Sequence, residues 1–145
     1  MTIAEHQQRI GDRIAAHPDL TAIPLTIEAA VPNVVAAVMK SLAQGRLNIV
    51  VASGPGEVST LHPQALIFSE RFIVTIGQAA GVSEPTLAPI QIVDRLLPWL
   101  HGYPASDAAG STRYLVRRHD PLPDDGPISG HQLTLEISVG IRIQS

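Results

Sequence analysis

Residues 131–145 read HQLTLEISVGIRIQS, and from Leu133 to Ile143 the stretch keeps a strict two-residue beat. Leu133, Leu135, Ile137, Val139, Ile141 and Ile143 fall on one side. Gln132, Thr134, Glu136, Ser138, Gly140, Arg142 and Gln144 fall on the other. Successive side chains of a strand point to opposite faces, so the alternation predicts a strand with one apolar and one polar face. The apolar face reads as core. The polar face has two readings: contact with water, which antiparallel sheets often allow on one side, or contact with a partner.

Working back from this strand, TRYLVRRHD (112–120) reads as a strand and PLPDDGPISG (121–130) as a turn-rich loop. Before them, PIQIVDRLLPWLHGY (89–103) carries Ile90, Val93, Leu97 and Leu100 at helical spacing, with Leu96 beside them. Pro89 suits the first turn of that helix, whereas Pro98 removes a backbone donor and is expected to kink or end it. ALIFSERFIVTIG (65–77) is a second long strand. Leu66, Phe68, Phe72, Val74 and Ile76 share one face with the exception Glu70, and Ile67 and Ile73 on the other face make it apolar enough for a central position.

RLNIVVASG (46–54) is a short apolar strand, and GPGEVSTLHPQ (54–64) follows as a loop with two glycines and two prolines. VPNVVAAVMKSLAQGR (31–46) reads as a helix, with Pro32 in its first turn and Gly45 at its end. LTAIPLTIEAA (20–30) is an extended connector or short edge strand, and TIAEHQQRIGDRIAAHPD (2–19) is a helix spaced on Ile3, Ile10 and Ile14. The order is helix, helix, strand, strand, helix, strand, strand. Two strand pairs split by a helix predict an α+β domain over residues 1–145, with a mostly antiparallel sheet of four or more strands and helices on one face.

Composition bounds the function. With 45% hydrophobic and 16% charged residues, the chain is not a disordered one. A net charge of −3, basic residues scattered apart from Arg117 and Arg118, and 3% aromatics give no case for specific nucleic-acid binding. The absence of cysteine excludes disulfides, thiolate metal sites and cysteine nucleophiles, and suits a reducing cytoplasm. No apolar run approaches the roughly 20 residues of a membrane-spanning helix, and MTIAEHQQRIGDR has no secretion-signal pattern. A cytoplasmic protein with no membrane partner is expected.

Chemistry is sparse. His6, His17, His62, His101, His119 and His131 show none of the short spacings of metal ligands, and they read as surface or loop histidines. SGPGE (53–57) lacks the pattern of a phosphate loop and reads as a hairpin loop. Glu70, interrupting an apolar strand face, is the best candidate for acid–base work, with Arg71, Arg113 and Arg117 as partners on neighbouring strands. The plainer reading is a cross-strand or intersubunit ion pair. No nucleophile with its base stands beside it, so no catalytic residue, metal or cofactor is assigned.

The element order, the helix closing on Leu100-His101-Gly102 and the long amphipathic final strand resemble small bacteriophage tail-terminator, or tail-completion, proteins. The resemblance covers the chain from about Leu20 onward. It implies a non-enzymatic protein that forms a ring, typically a hexamer, at the head-proximal end of a tail tube. The ring would stop tube growth and meet head-completion proteins. It implies contact loops at 54–64 and 120–130, carrying Glu57, His62, Asp120, Asp124 and Asp125. It also offers a partner for the polar face: Gln132, Thr134, Glu136, Ser138 and Arg142, with Glu70 and Arg117, would line a channel or meet a neighbouring subunit. The alternatives are a small ligand- or protein-binding module using the same loops, and an enzyme using Glu70 with a strand arginine.

Overall fold

The computed structural model describes residues 2–23, 25–28, 47–54, 56–60, 65–79, 88–122 and 128–142. The helix expected over 31–46, the loop after Ala79 and the end of the final strand at Ile143 lie outside these residues. The described chain runs α1 (Ile3–Ala15), β1 (Leu25–Glu28), β2 (Asn48–Ser53), β3 (Glu57–Thr60), β4 (Ala65–Ala79), α2 (Pro89–Leu100), β5 (Leu115–Pro121) and β6 (Ile128–Arg142). The six strands form one sheet in the order β1-β2-β4-β6-β5, with β3 also against β4. Every pairing is antiparallel except β1 with β2, so this is an α+β fold.

The centre of the sheet is the pairing of β4 with β6, in register from Ala65↔Arg142 to Ala79↔Ile128. That register sets Phe72 opposite Leu135 and Val74 opposite Leu133, and all four are fully buried. Ile49 and Val51 of β2 continue the same face beside Ile76 and Val74. Both described helices pack on it. α1 contributes Ile10 and Ile14, and α2 contributes Ile92, Val93, Leu96 and Leu100. Each such side chain taken out of water contributes about 2 kcal/mol, which makes this face the main stabilising element.

Local chemistry explains the helix ends. Thr2 accepts from the Glu5 N–H at 3.1 Å while the Glu5 carboxylate takes the Thr2 N–H at 3.4 Å, a reciprocal cap on the first turn of α1. Gly11, unfavourable in a helix on propensity alone, sits where a Cβ would come within 2.9 Å of Ile27 and 3.2 Å of Leu25 on β1, so a larger residue there requires those side-chain ends to shift. A guanidinium holds the two helices together: Arg13 lies 3.7 Å from the Trp99 ring centre and 4.6 Å from that of Tyr103.

Several expectations are corrected. Ile3 and Ile90 are exposed, because the inward stripe of α1 is completed by His6 and Gln7 and that of α2 by Ile92. Pro98 does not end α2, which runs to Leu100. Its ring points to solvent, and the helix forgoes only the one bond that its missing N–H would have made. Glu57–Thr60 is strand rather than loop. β2 pairs with residues 72–77 of β4 and β3 with residues 67–69, so they run as one interrupted strand along a single edge of β4. The glycines of SGPGE break that strand instead of turning it into a hairpin.

At Gly130 the backbone takes φ +154°, and a Cβ there would collide with the Ile76 carbonyl of the neighbouring strand. Gly130→Ala is therefore expected to cost about 3 kcal/mol, measured by urea denaturation, with the transition still cooperative.

Candidate functional site: the charged face of the sheet

The face of the sheet turned away from α1 and α2 carries the odd-numbered residues of β4 and the even-numbered residues of β6. At its β2 end this face is closed, since Val50 and Ala52 are fully buried and Thr75 nearly so. Towards β5 it opens. There Arg71 stands opposite Glu136 and Ile73 opposite Thr134, and β5 adds Arg117 and Arg118.

The register of β5 against β6 slips between Val116 and Arg118. A bulge places one extra residue in a strand and re-aims its neighbours. Here it lets two consecutive arginines line the same depression, about 380 Å³ in volume, with Arg71, Ile73, Thr134 and Glu136.

The charges are arranged as a chain. Glu57 Oε2 meets Arg71 Nη2 at 3.1 Å, Arg71 Nε meets Glu136 Oε2 at 3.4 Å, and Glu136 Oε1 meets Arg117 Nε at 3.7 Å. Glu136 has the least exposed side chain of the four, at 13%, so its carboxylate depends on the two arginines flanking it. Arg118 instead forms a two-pronged contact with Asp120, at 2.8 and 3.1 Å, and this hydrogen bond holds the Asp120 carboxyl below its usual range.

Sequence reasoning placed Arg117, Thr134 and Glu136 together, and the structure brings them to one depression. Gln132 and Thr134 are half-buried on this face, and Ser138 is exposed. Arg142 is placed by its backbone opposite Ala65. Glu70 is not part of the group. It stands opposite Ile137 on the helix-side face, and Arg71 and Arg117 pair with Glu136 instead. Arg113 is elsewhere, donating to the Gly102 carbonyl at 2.7 Å in the turn after α2. Glu57 and Asp120 lie on strands rather than in loops. His62, Asp124 and Asp125 lie outside the described residues. Sequence reasoning named Arg71 only as a partner of Glu70 and left out Arg118, because neither the register nor the bulge is visible in the residue pattern.

Of the histidines expected at the surface or in loops, His101 and His119 are exposed, whereas His6 is buried and corrects that expectation. His6 is buried on α1 with Nδ1 2.7 Å from the Tyr114 hydroxyl, beneath Phe72. Burial pushes the Tyr114 phenol up and the His6 imidazole down, with Arg9 adding to the effect on His6 and Glu5 opposing it. His101 Nδ1 accepts the Val116 N–H at 3.0 Å, so the Leu100-His101-Gly102 turn closes off part of the outer edge of β5. His17 Nδ1 accepts the Asp19 N–H at 3.1 Å. Among the described residues no three His, Asp or Glu side chains come together as a metal site, and no helix is long and apolar enough to cross a membrane.

No protein-family profile matches the chain, and no characterised protein is similar to it in sequence.

Two outcomes follow from this geometry. Glu136→Ala leaves two arginines facing each other and is expected to lower stability by about 1–2 kcal/mol in urea denaturation, with Glu136→Gln costing less. His6 titrates below its unfolded value of 6.5, so the unfolded chain takes up the proton first. Melting temperature should therefore hold level above pH 6.5 and fall as the pH drops below it. His6→Gln should remove that part of the slope.

Proposed function

We propose that this is a non-enzymatic assembly protein whose copies join into a ring, in the manner of the phage tail terminators that its element order resembles. Formed in the cytoplasm, such a ring would cap a tail tube and offer a surface to head-completion proteins. The observation that carries the proposal is the chain of ion pairs on the open sheet face. A catalytic carboxylate needs freedom to exchange a proton with a substrate, whereas both oxygens of Glu136 face arginines. Charged groups holding one another at fixed positions on an open sheet suit a static contact, where charge pattern selects the partner.

The hydrophobic surface agrees with this. Ile67 on β4 and Leu115 on β5 lie on the open face and are 42% and 38% exposed, while Val58 on β3 is 56% exposed at the far end of the helix-side face. Protein contacts commonly join apolar groups to a polar, solvent-accessible rim, and Ile67 and Leu115 supply apolar groups on the face that carries the charge row.

Native mass spectrometry and light scattering over a wide concentration range test the proposal. A closed oligomer larger than a dimer is expected, growing with concentration towards one size. A protein that stays monomeric up to its solubility limit overturns it.

A further inference from the structure

We infer that the charge chain has a direction, and that copies of this protein join head to tail by pairing Glu57 of one copy with Arg117 of the next. This rests on the ring proposal and specifies its contact.

Glu57, Arg71, Glu136 and Arg117 run across β3, β4, β6 and β5 in the charge order minus, plus, minus, plus. Such a row ends in opposite charges, so a second copy set beside the first continues the alternation without bringing like charges together. The exposures follow the same logic. The inner pair, Arg71 and Glu136, is 31% and 13% exposed, while the ends, Glu57 and Arg117, are 65% and 57% exposed. Among the described residues Arg117 makes only the 3.7 Å contact with Glu136, too long for a hydrogen bond, and its side chain is more than half exposed, so its guanidinium has donors to offer a partner. Among the described residues Glu57 likewise makes only its contact with Arg71.

The backbone supports a contact through side chains rather than strand addition. At the β5 edge the Val116 N–H is already taken by His101, and the bulge at Arg117 breaks the regular row of donors and acceptors that a new strand would need. The partner is therefore a second copy of this chain, recognised by its carboxylate at the β3 end. A head-to-tail contact of this kind is heterologous, the type that gives a ring when the rotation between copies closes and an open filament when it does not.

Within one chain the two ends lie three strand steps apart, roughly 14 Å, so they cannot pair with each other. That separation makes a charge swap decisive. Arg117→Glu and Glu57→Arg are each made alone, confirmed folded by circular dichroism and melting temperature, and measured by sedimentation velocity alone, mixed in equal amounts, and combined in one chain. Each single variant is expected to lose association by at least about tenfold, because like charges then meet at every junction. Mixing the two, or combining them in one chain, is expected to restore it. Arg117→Gln, a milder change, should weaken association without abolishing it. Single variants that assemble as well as the wild type, or a mixture that restores nothing, overturn this contact and leave the ring proposal standing. A wild-type assembly that stops at two copies overturns the head-to-tail arrangement, and a monomeric wild type overturns both proposals.

Discussion

The antiparallel pairing of β4 with β6 decides what every other part of the molecule can do. Side chains alternate with a period of two, so a slip of one residue between these strands would turn the apolar set of one of them away from the other's. Both faces of the sheet depend on that register. It puts Phe72 against Leu135 and Val74 against Leu133, giving α1 and α2 an apolar floor to dock on. The same register puts Arg71 against Glu136 on the opposite side. The core and the charged face are thus two consequences of one alignment. Disturbing it at Gly130, where two backbones approach too closely for a Cβ, affects both.

The parts of this arrangement that repeat at short range could be read from the residues. The beat from Leu133 to Ile143 identified β6, and the apolar runs at 46–54 and 65–77 identified β2 and β4. What could not be read depends on contacts between distant residues. Glu57–Thr60 is too short and too close to glycine and proline to show a strand pattern, and it becomes one only because β4 extends past the end of β2. Ile3 and Ile90 fit a helical stripe yet face solvent, since the spacing rule gives a face about 100° wide and not its direction. The site was legible in part. Thr134 and Glu136 follow from the alternation, and Arg117 from its place on a strand. Arg118 was missed because the bulge adds a residue that no periodicity announces, whereas Glu70 does stand on the apolar face that it interrupts, opposite Ile137, and it is only its grouping with the polar face of β6 that the register separates.

Polar groups inside the helix layer show the other side of the same economy. His6 and Gln7 occupy positions on α1 that face the core. A buried polar group costs free energy unless it is bonded. His6 meets the Tyr114 hydroxyl, and the Gln7 side chain donates to the Val51 carbonyl at 3.4 Å. These contacts join α1 to β2 and to the residue just before β5, parts of the chain far from it, and they fix where the helix lies over the sheet more narrowly than Ile10 and Ile14 could. Hydrophobic burial is nearly indifferent to rotation of a helix about its axis by a few degrees, whereas a hydrogen bond of 2.7 Å is not.

The charged face is best understood through what it does not contribute. Ion pairs with an exposed partner are worth about 0–1 kcal/mol each, so the two ends of the row, Glu57 and Arg117, add little to stability. Hydrophobic residues at the same positions would stabilise the sheet more, but they would make its open side adhesive to any apolar surface. Alternating charge does the opposite. It keeps the face soluble when the protein is alone, and it penalises a partner whose charges fall out of step, since every misplaced charge then meets its like. A neutral alternating row accepts only a surface carrying the matching row. In the proposed head-to-tail contact another copy of the same chain would supply such a row, and the opposite charges at its two ends would set the direction in which the copies follow one another.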